Sequence, residues 1–176
     1  MPDDLRQPMQ ELELAWDCAA AVRSASTFEA LEKSWRSLLN HLEKVWIKSE
    51  RACQPFRAKF EPWQKPFRDL RSTDPLLIYL KQSRDADNHS IQDVSYVSNG
   101  WISGKLGPRV TMQFHLTEPN PVVGTVVNRG VTYEPPHMHL GQILNTRDPR
   151  VLSVHGCNFY ADYLQQVAST FFRGAA

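Results

Sequence analysis

The stretch from Asp74 to His89 ends in Arg84-Asp85-Ala86-Asp87-Asn88-His89, which gathers an arginine, two carboxylates, an amide and an imidazole into six residues. Arginine offers phosphate a planar fork of donors that stays charged, and histidine exchanges a proton near neutral pH. The two suffice for RNA cleavage without a metal. Arg84 would stabilise the charged phosphorane, and His89 would take the ribose 2′-OH proton or return one to the leaving 5′-oxygen. On a helix Arg84 and Asn88 share a face, while His89 lies about 140° round from Arg84. A chain that frays at His89 lets the two side chains converge. The same residues also allow a reading without chemistry: Arg84 pairs with Asp85 or Asp87, and His89 closes the helix, where its charge suits the C-terminal dipole.

Two further constellations carry chemistry. Between residues 56 and 71, Arg57, Lys59, Lys65, Arg68 and Arg71 alternate with Phe56, Phe60, Trp63 and Phe67, five cations against Glu61 and Asp69, a local net charge of +3. Cations interleaved with aromatics are what a single-stranded nucleic-acid platform requires, although aromatics at these spacings also build cores. In Tyr133-Glu134-Pro135-Pro136-His137-Met138-His139-Leu140-Gly141, an extended backbone would point His137 and His139 the same way. That suits two ligands of one zinc or iron, with Glu134 or His115 completing the set. The Pro-Pro pair instead favours a loop packed on the last helix. His41 and His155 fall within helical patterns and read as surface or partly buried. Cys157 lacks the histidine partner a thiol nucleophile needs. Dinucleotide, P-loop, HExxH and G-x-S-x-G signatures are absent, so no cofactor is expected.

The elements that must position these groups follow from periodicity. Leu12, Ala15, Trp16, Ala19 and Val22 form one helical stripe ending near Ser24. Ser26-Thr27-Phe28-Glu29 matches a capping box, and Phe28, Leu31, Trp35, Leu38, Leu42, Val45 and Ser49 then mark a long amphipathic helix. The stripe continues through Cys53, Phe56, Phe60, Trp63, Phe67 and Leu70, but Pro55, Pro62 and Pro66 predict that it kinks or breaks. Asp74-Pro75 starts another helix, with Leu76, Leu77, Leu80, Ser83 and Arg84 inward, ending near His89-Ser90. Beyond residue 90 the pattern turns to short alternating runs: Val94–Val97, Trp101–Lys105, Arg109–Leu116, Val122–Val127 and Val131–Tyr133. Asn99-Gly100 and Asn128-Arg129-Gly130 supply turns. A last helix opens at Asp148-Pro149 and runs to about Phe172. The expected fold is α+β: a helical bundle over 1–90, then a small antiparallel sheet and a C-terminal helix over 91–176, packed as one unit.

Arg84 and His89, with four residues between them and a polar Asp85 after the arginine, resemble the R-x4-6-H motif of HEPN-type helical domains. The resemblance covers roughly residues 8 to 90. It implies metal-independent RNA binding or cleavage in a toxin or anti-phage defence effector, with Arg84 and His89 as the catalytic pair and Asp85 and Asn88 orienting them. It also implies a homodimer whose two motifs face each other, and an antitoxin or other protein partner. Asp85 stands where asparagine is common in the family, and the sheet lies outside the basic helical domain. The same segment is similar to a Leu-rich, Arg-Asn-Ala-Asp-x-His-like helix of bacterial proteins, which implies no activity. The alternative readings are a non-enzymatic protein-interaction module, with structural Arg84 and His89, and a small metal-binding protein that uses His137 and His139.

Composition bounds these readings. The chain has 176 residues, 41% of them hydrophobic and 22% charged, which excludes wholesale disorder. Lys and Arg number 20 against 19 acids, a net charge of +1 that argues against coating nucleic acid by bulk charge but leaves a local groove open. Apolar runs are too short for a membrane span, and the start lacks the layout of a secretory signal. Cys18, Cys53 and Cys157 are odd in number and without a CxxC pair, so they read as buried thiols in a reducing cytoplasm.

Overall fold

The computed structural model describes residues 5–88, 94–98, 101–105, 110–115 and 121–172, with Phe28, Asp87, Asn88 and the strand residues up to Val122 described by backbone alone. The described helices are α1 (Arg6–Ser24), α2 (Phe28–Ala52), α3 (Arg57–Thr73), α4 (Pro75–Asn88) and α5 (Pro149–Phe171). The strands are β1 (Val94–Ser98), β2 (Trp101–Lys105), β3 (Val110–His115), β4 (Pro121–Asn128), β5 (Val131–Tyr133), β6 (Met138–His139) and β7 (Gln142–Ile143). The fold is α+β. The chain divides into two compact units, Met1–Ser72 with Val154–Ala176, and Thr73–Ser153. The composition changes near residue 90, but the division falls before α4 and within α5.

In the first unit, Ala25-Ser26-Thr27 folds α2 back onto α1. The buried faces are the expected stripes, Leu12, Ala15, Ala19 and Val22 on α1 and Leu31, Trp35, Leu38, Leu42, Val45 and Ser49 on α2. Trp16 departs from its stripe and is 36% exposed, because it sits a further 100° round from Ala15. The cap of α2 is Thr27, whose hydroxyl accepts the Ala30 amide at 3.2 Å. The predicted box on Ser26 is one residue out of register, so Glu29 occupies the second helical position instead of the third.

The proline-rich segment breaks at the first of its three prolines and not at the other two. The chain breaks at a 3-10 turn over Gln54–Phe56 that contains Pro55, but α3 then continues through Pro62 and Pro66. Each interior proline costs a helix about 3 kcal/mol. Aromatic packing on α5 offsets that cost: Trp63 meets Phe171 at 5.2 Å between centroids, and Phe67 meets Tyr163 at 5.2 Å. Both prolines are exposed, so their rings and the carbonyls they leave without α-helical donors lie on the solvent side. Tyr163, fully buried, stacks on Trp46 at 5.0 Å. Its hydroxyl shares a hydrogen bond with Ser49 Oγ at 2.8 Å and accepts one from Gln64 Nε2 at 3.0 Å.

The second unit holds the expected strands as one antiparallel sheet in the order β1-β2-β3-β4-β5. Asn128 pairs with Val131 across Arg129 and Gly130, both at positive φ (49° and 81°), as a two-residue hairpin requires. The Asn99-Gly100 turn lies outside the described residues. Opposite β3, β4 carries one extra residue between Val123 and Val126. There the Tyr79 hydroxyl of α4 donates to the Gly124 carbonyl at 2.6 Å, and Asn128 Nδ2 donates to Gln82 Oε1 at 2.7 Å. The segment read as a loop has no regular structure over residues 134–137, and beyond it Met138–His139 (β6) pairs with Gln142–Ile143 (β7) in a short hairpin, with Leu140 and Gly141 at φ 50° and 78°. Leucine is a poor residue at such a position, which is why the turn carries no signal in the sequence.

Candidate nucleic-acid interface

Asp74 caps α4 by accepting the Leu77 amide at 3.0 Å, and the helix carries Arg84, Asp85 and Asn88 through its last turns. Arg84 Nη2 lies 3.2 Å from Asp85 Oδ1, with 23% of the arginine side chain exposed. Arg84 and Asn88 are one turn apart on the same helix face. His89 lies outside the described residues.

His137 and His139 have different environments. His137 is exposed, whereas His139 is buried with Nδ1 3.0 Å from Asp74 Oδ1. Glu134 accepts the Thr125 hydroxyl at 3.2 Å, and His115 is described by backbone alone. Among the described residues there is no group of three or more His, Cys, Asp or Glu side chains placed to hold a metal. The buried thiols are equally unsuited to attack, since burial pushes Cys53 and Cys157 up to about 12 and keeps both protonated.

The five cations of the α3 segment divide by helical angle. Arg57, Lys65 and Arg68 occupy one flank with Glu61, in a series of pairings along it. Arg57 Nε donates to Glu61 at 2.6 Å, Lys65 Nζ to Asp69 at 2.5 Å, and Arg68 Nη2 to the buried Gln64 amide oxygen at 3.1 Å. The first two pairs are widely exposed, so solvent screens them and phosphate can compete. Arg71 turns inward instead. It pairs with Glu43 at 2.6 Å and lies 4.2 Å from the centre of the Trp46 ring.

Lys59 belongs to the opposite flank. With Phe56, Trp63, Thr170 and Phe171 it lines a depression of about 320 Å³. Phe56 is 36% exposed there, and its ring meets Phe171 at 5.8 Å. Thr170 and Phe171 follow Trp63 by more than a hundred residues, and no local spacing announces them. The depression can take a flat apolar group against aromatic walls, with an ammonium at its rim. Among the described residues, no helix is long and apolar enough to cross a membrane.

Sequence reasoning also missed a cluster between α1 and α2. Glu11 accepts from Lys48 Nζ at 2.7 Å and lies 2.6 Å from His41 Nδ1. Burial alone would raise the Glu11 carboxyl, but the Lys48 and His41 interactions outweigh it and hold the group below its usual range. Lys48 and His41 are thirty or more positions from Glu11 in sequence, so helix pairing alone brings them to it. No family model, curated protein or solved structure matches the chain.

Proposed function

We propose that the protein binds single-stranded RNA on α3. The depression formed by Phe56, Lys59, Trp63, Thr170 and Phe171 supports this reading: it offers aromatic walls for a base, with the Lys59 ammonium adding positive charge at its rim. The exposed Arg57, Lys65 and Arg68 extend the positive charge along the same helix. A labelled single-stranded RNA octamer titrated with the full chain tests the reading. Binding that weakens with salt, and weakens again in Phe56→Ala and Lys59→Ala, is the expected result. No binding at low salt overturns it, and a protein partner recognised by the same apolar depression then becomes the better reading.

Cleavage by Arg84 and His89 is a second reading, favoured by the continuous α4 that places Arg84 one turn from Asn88. The guanidinium would have to exchange Asp85 for a phosphate. Homodimerisation and an antitoxin partner belong to this reading. Induced expression that arrests growth and fragments total RNA in wild type, but not in Arg84→Ala or His89→Ala of equal solubility, supports it. Intact RNA from the wild type assigns Arg84 a structural role.

A further inference from the structure

Pro62 and Pro66 sit four residues apart inside a helix that continues through both. Residues with no N–H at these two positions leave the carbonyls of Ala58 and Pro62 without their α-helical donors. Ala58, Pro62 and Pro66 are all exposed and make one ridge of α3. A local rule broken twice at exposed positions points to a use for the acceptors so created.

The angular order around α3 says what that use is. On one side of the ridge lie Phe56, Lys59 and Trp63 with their depression, and on the other lie Arg57, Lys65 and Arg68. A nucleotide has the same order: a base, then a ribose, then a phosphate. With the base against Phe56 and Trp63 and the phosphate toward the arginine flank, the ribose passes over the ridge. Ribose differs from deoxyribose by the 2′-hydroxyl, a donor that a carbonyl oxygen can accept. The two carbonyls are one turn apart, about 6 Å along the axis, and so can serve neighbouring nucleotides.

We propose that the Ala58 and Pro62 carbonyls accept hydrogen bonds from ribose 2′-hydroxyls, and that the paired prolines of α3 make this face selective for RNA over DNA. The inference rests on the RNA-binding reading above and adds a sugar-specific hydrogen bond to it. That bond needs no side chain, and substitution of Pro62 and Pro66 by alanine restores the missing N–H groups without removing a charge or an aromatic ring.

The test compares fluorescence anisotropy of one octamer sequence as RNA, DNA and 2′-O-methyl RNA, with wild type and the Pro62→Ala/Pro66→Ala chain. Wild type is expected to bind RNA roughly tenfold more tightly than DNA or 2′-O-methyl RNA, as two modest hydrogen bonds would give. The double variant should lose that ratio through weaker RNA binding while its DNA affinity stays the same. Alanine favours a helix, so the variant should melt no lower than wild type. Equal wild-type affinity for RNA and DNA, or a ratio unchanged by the two alanines, overturns the proposal while leaving RNA binding in place. Failure of wild type to bind any of the three overturns both.

Discussion

Asp74 Oδ1 lies 3.0 Å from Nδ1 of His139, sixty-five residues further along the chain, and both side chains are nearly fully buried. The same carboxylate caps α4 through the Leu77 amide and accepts the Leu140 amide at 2.7 Å on its other oxygen. One side chain therefore starts the helix that carries Arg84 and fixes the β6–β7 hairpin. The histidine that could have been a metal ligand is used to orient that side chain.

Replacing Asp74 by alanine takes the acceptor from the Leu77 amide, the Leu140 amide and the His139 ring together. Losing a helix cap costs about 1 kcal/mol, and taking the carboxylate from the buried His139 imidazole and the part-buried Leu140 amide adds roughly 1–3 kcal/mol. Urea unfolding followed by circular dichroism should show a destabilisation of about 2–4 kcal/mol for Asp74→Ala, the sum of those two effects. Asp74→Asn keeps an acceptor oxygen and should be destabilised less. A change below about 0.5 kcal/mol for Asp74→Ala would show that the cap and hairpin do not depend on this residue.

Acid should expose the same linkage. Burial works to raise the Asp74 carboxyl, but hydrogen bonds from His139 and from the Leu140 and Leu77 amides overcome it and hold the group below its usual range. A carboxyl depressed in the folded state adds stability that is fully present above its unfolded value of about 4, and loses it as pH falls through the lower folded value. Wild type should therefore lose more stability than Asp74→Asn between about pH 5 and about pH 3, so that the gap between them narrows. Parallel loss in the two chains would remove Asp74 from the account. Glu11, held down by Lys48 and His41 against its own burial, contributes in the same direction in both chains.

Much of the fold could be read from local pattern. The α2 stripe and the Arg129-Gly130 turn are periodic or chemically marked, and each lies where the sequence places it. What could not be read depends on partners distant in the chain. Pro62 and Pro66 predict a kinked or broken helix, and α3 continues through both where Phe171 and Tyr163 pack against its aromatic face. Arg71 looks like its four neighbouring cations until Glu43 and Trp46 take it inward. The Leu140-Gly141 turn has no favourable residue at its first position and is held by Asp74 from outside the hairpin.

Tyr163 joins α5 to α2 and α3 through one hydroxyl, shared with Ser49 and Gln64. Burial pushes the phenol well above its usual value, although the Ser49 and Gln64 hydrogen bonds work against that, so it stays protonated. Tyr163→Phe keeps the ring stacked on Trp46 and removes only the oxygen. The expected destabilisation is about 1–2 kcal/mol, mostly from the buried Gln64 donor left unsatisfied. A double-mutant cycle with Ser49→Ala should give a coupling of at least about 0.5 kcal/mol. Strict additivity would show that the two hydroxyls do not interact.

The cations of α3 should separate into binding and structural groups when each is changed to alanine. Lys59, Arg57, Lys65 and Arg68 are exposed or lightly paired, so removing one should weaken RNA binding. The slope of log affinity against log salt should fall by about 0.7 for each phosphate that is no longer neutralised. The stability of these variants should stay near wild type, because exposed ion pairs contribute little. Arg71 should behave in the opposite way. Its side chain is 10% exposed, and alanine there removes the pairing with Glu43 and uncovers Trp46. Breaking such a pair costs roughly 3 kcal/mol, so Arg71→Ala should melt well below wild type and yet keep the wild-type salt slope where it remains folded. Arg71→Lys should restore only part of the stability, since an ammonium cannot combine the planar stack with the carboxylate pairing. A reduced salt slope in Arg71→Ala, with stability unchanged, would place Arg71 on the RNA instead of in the core.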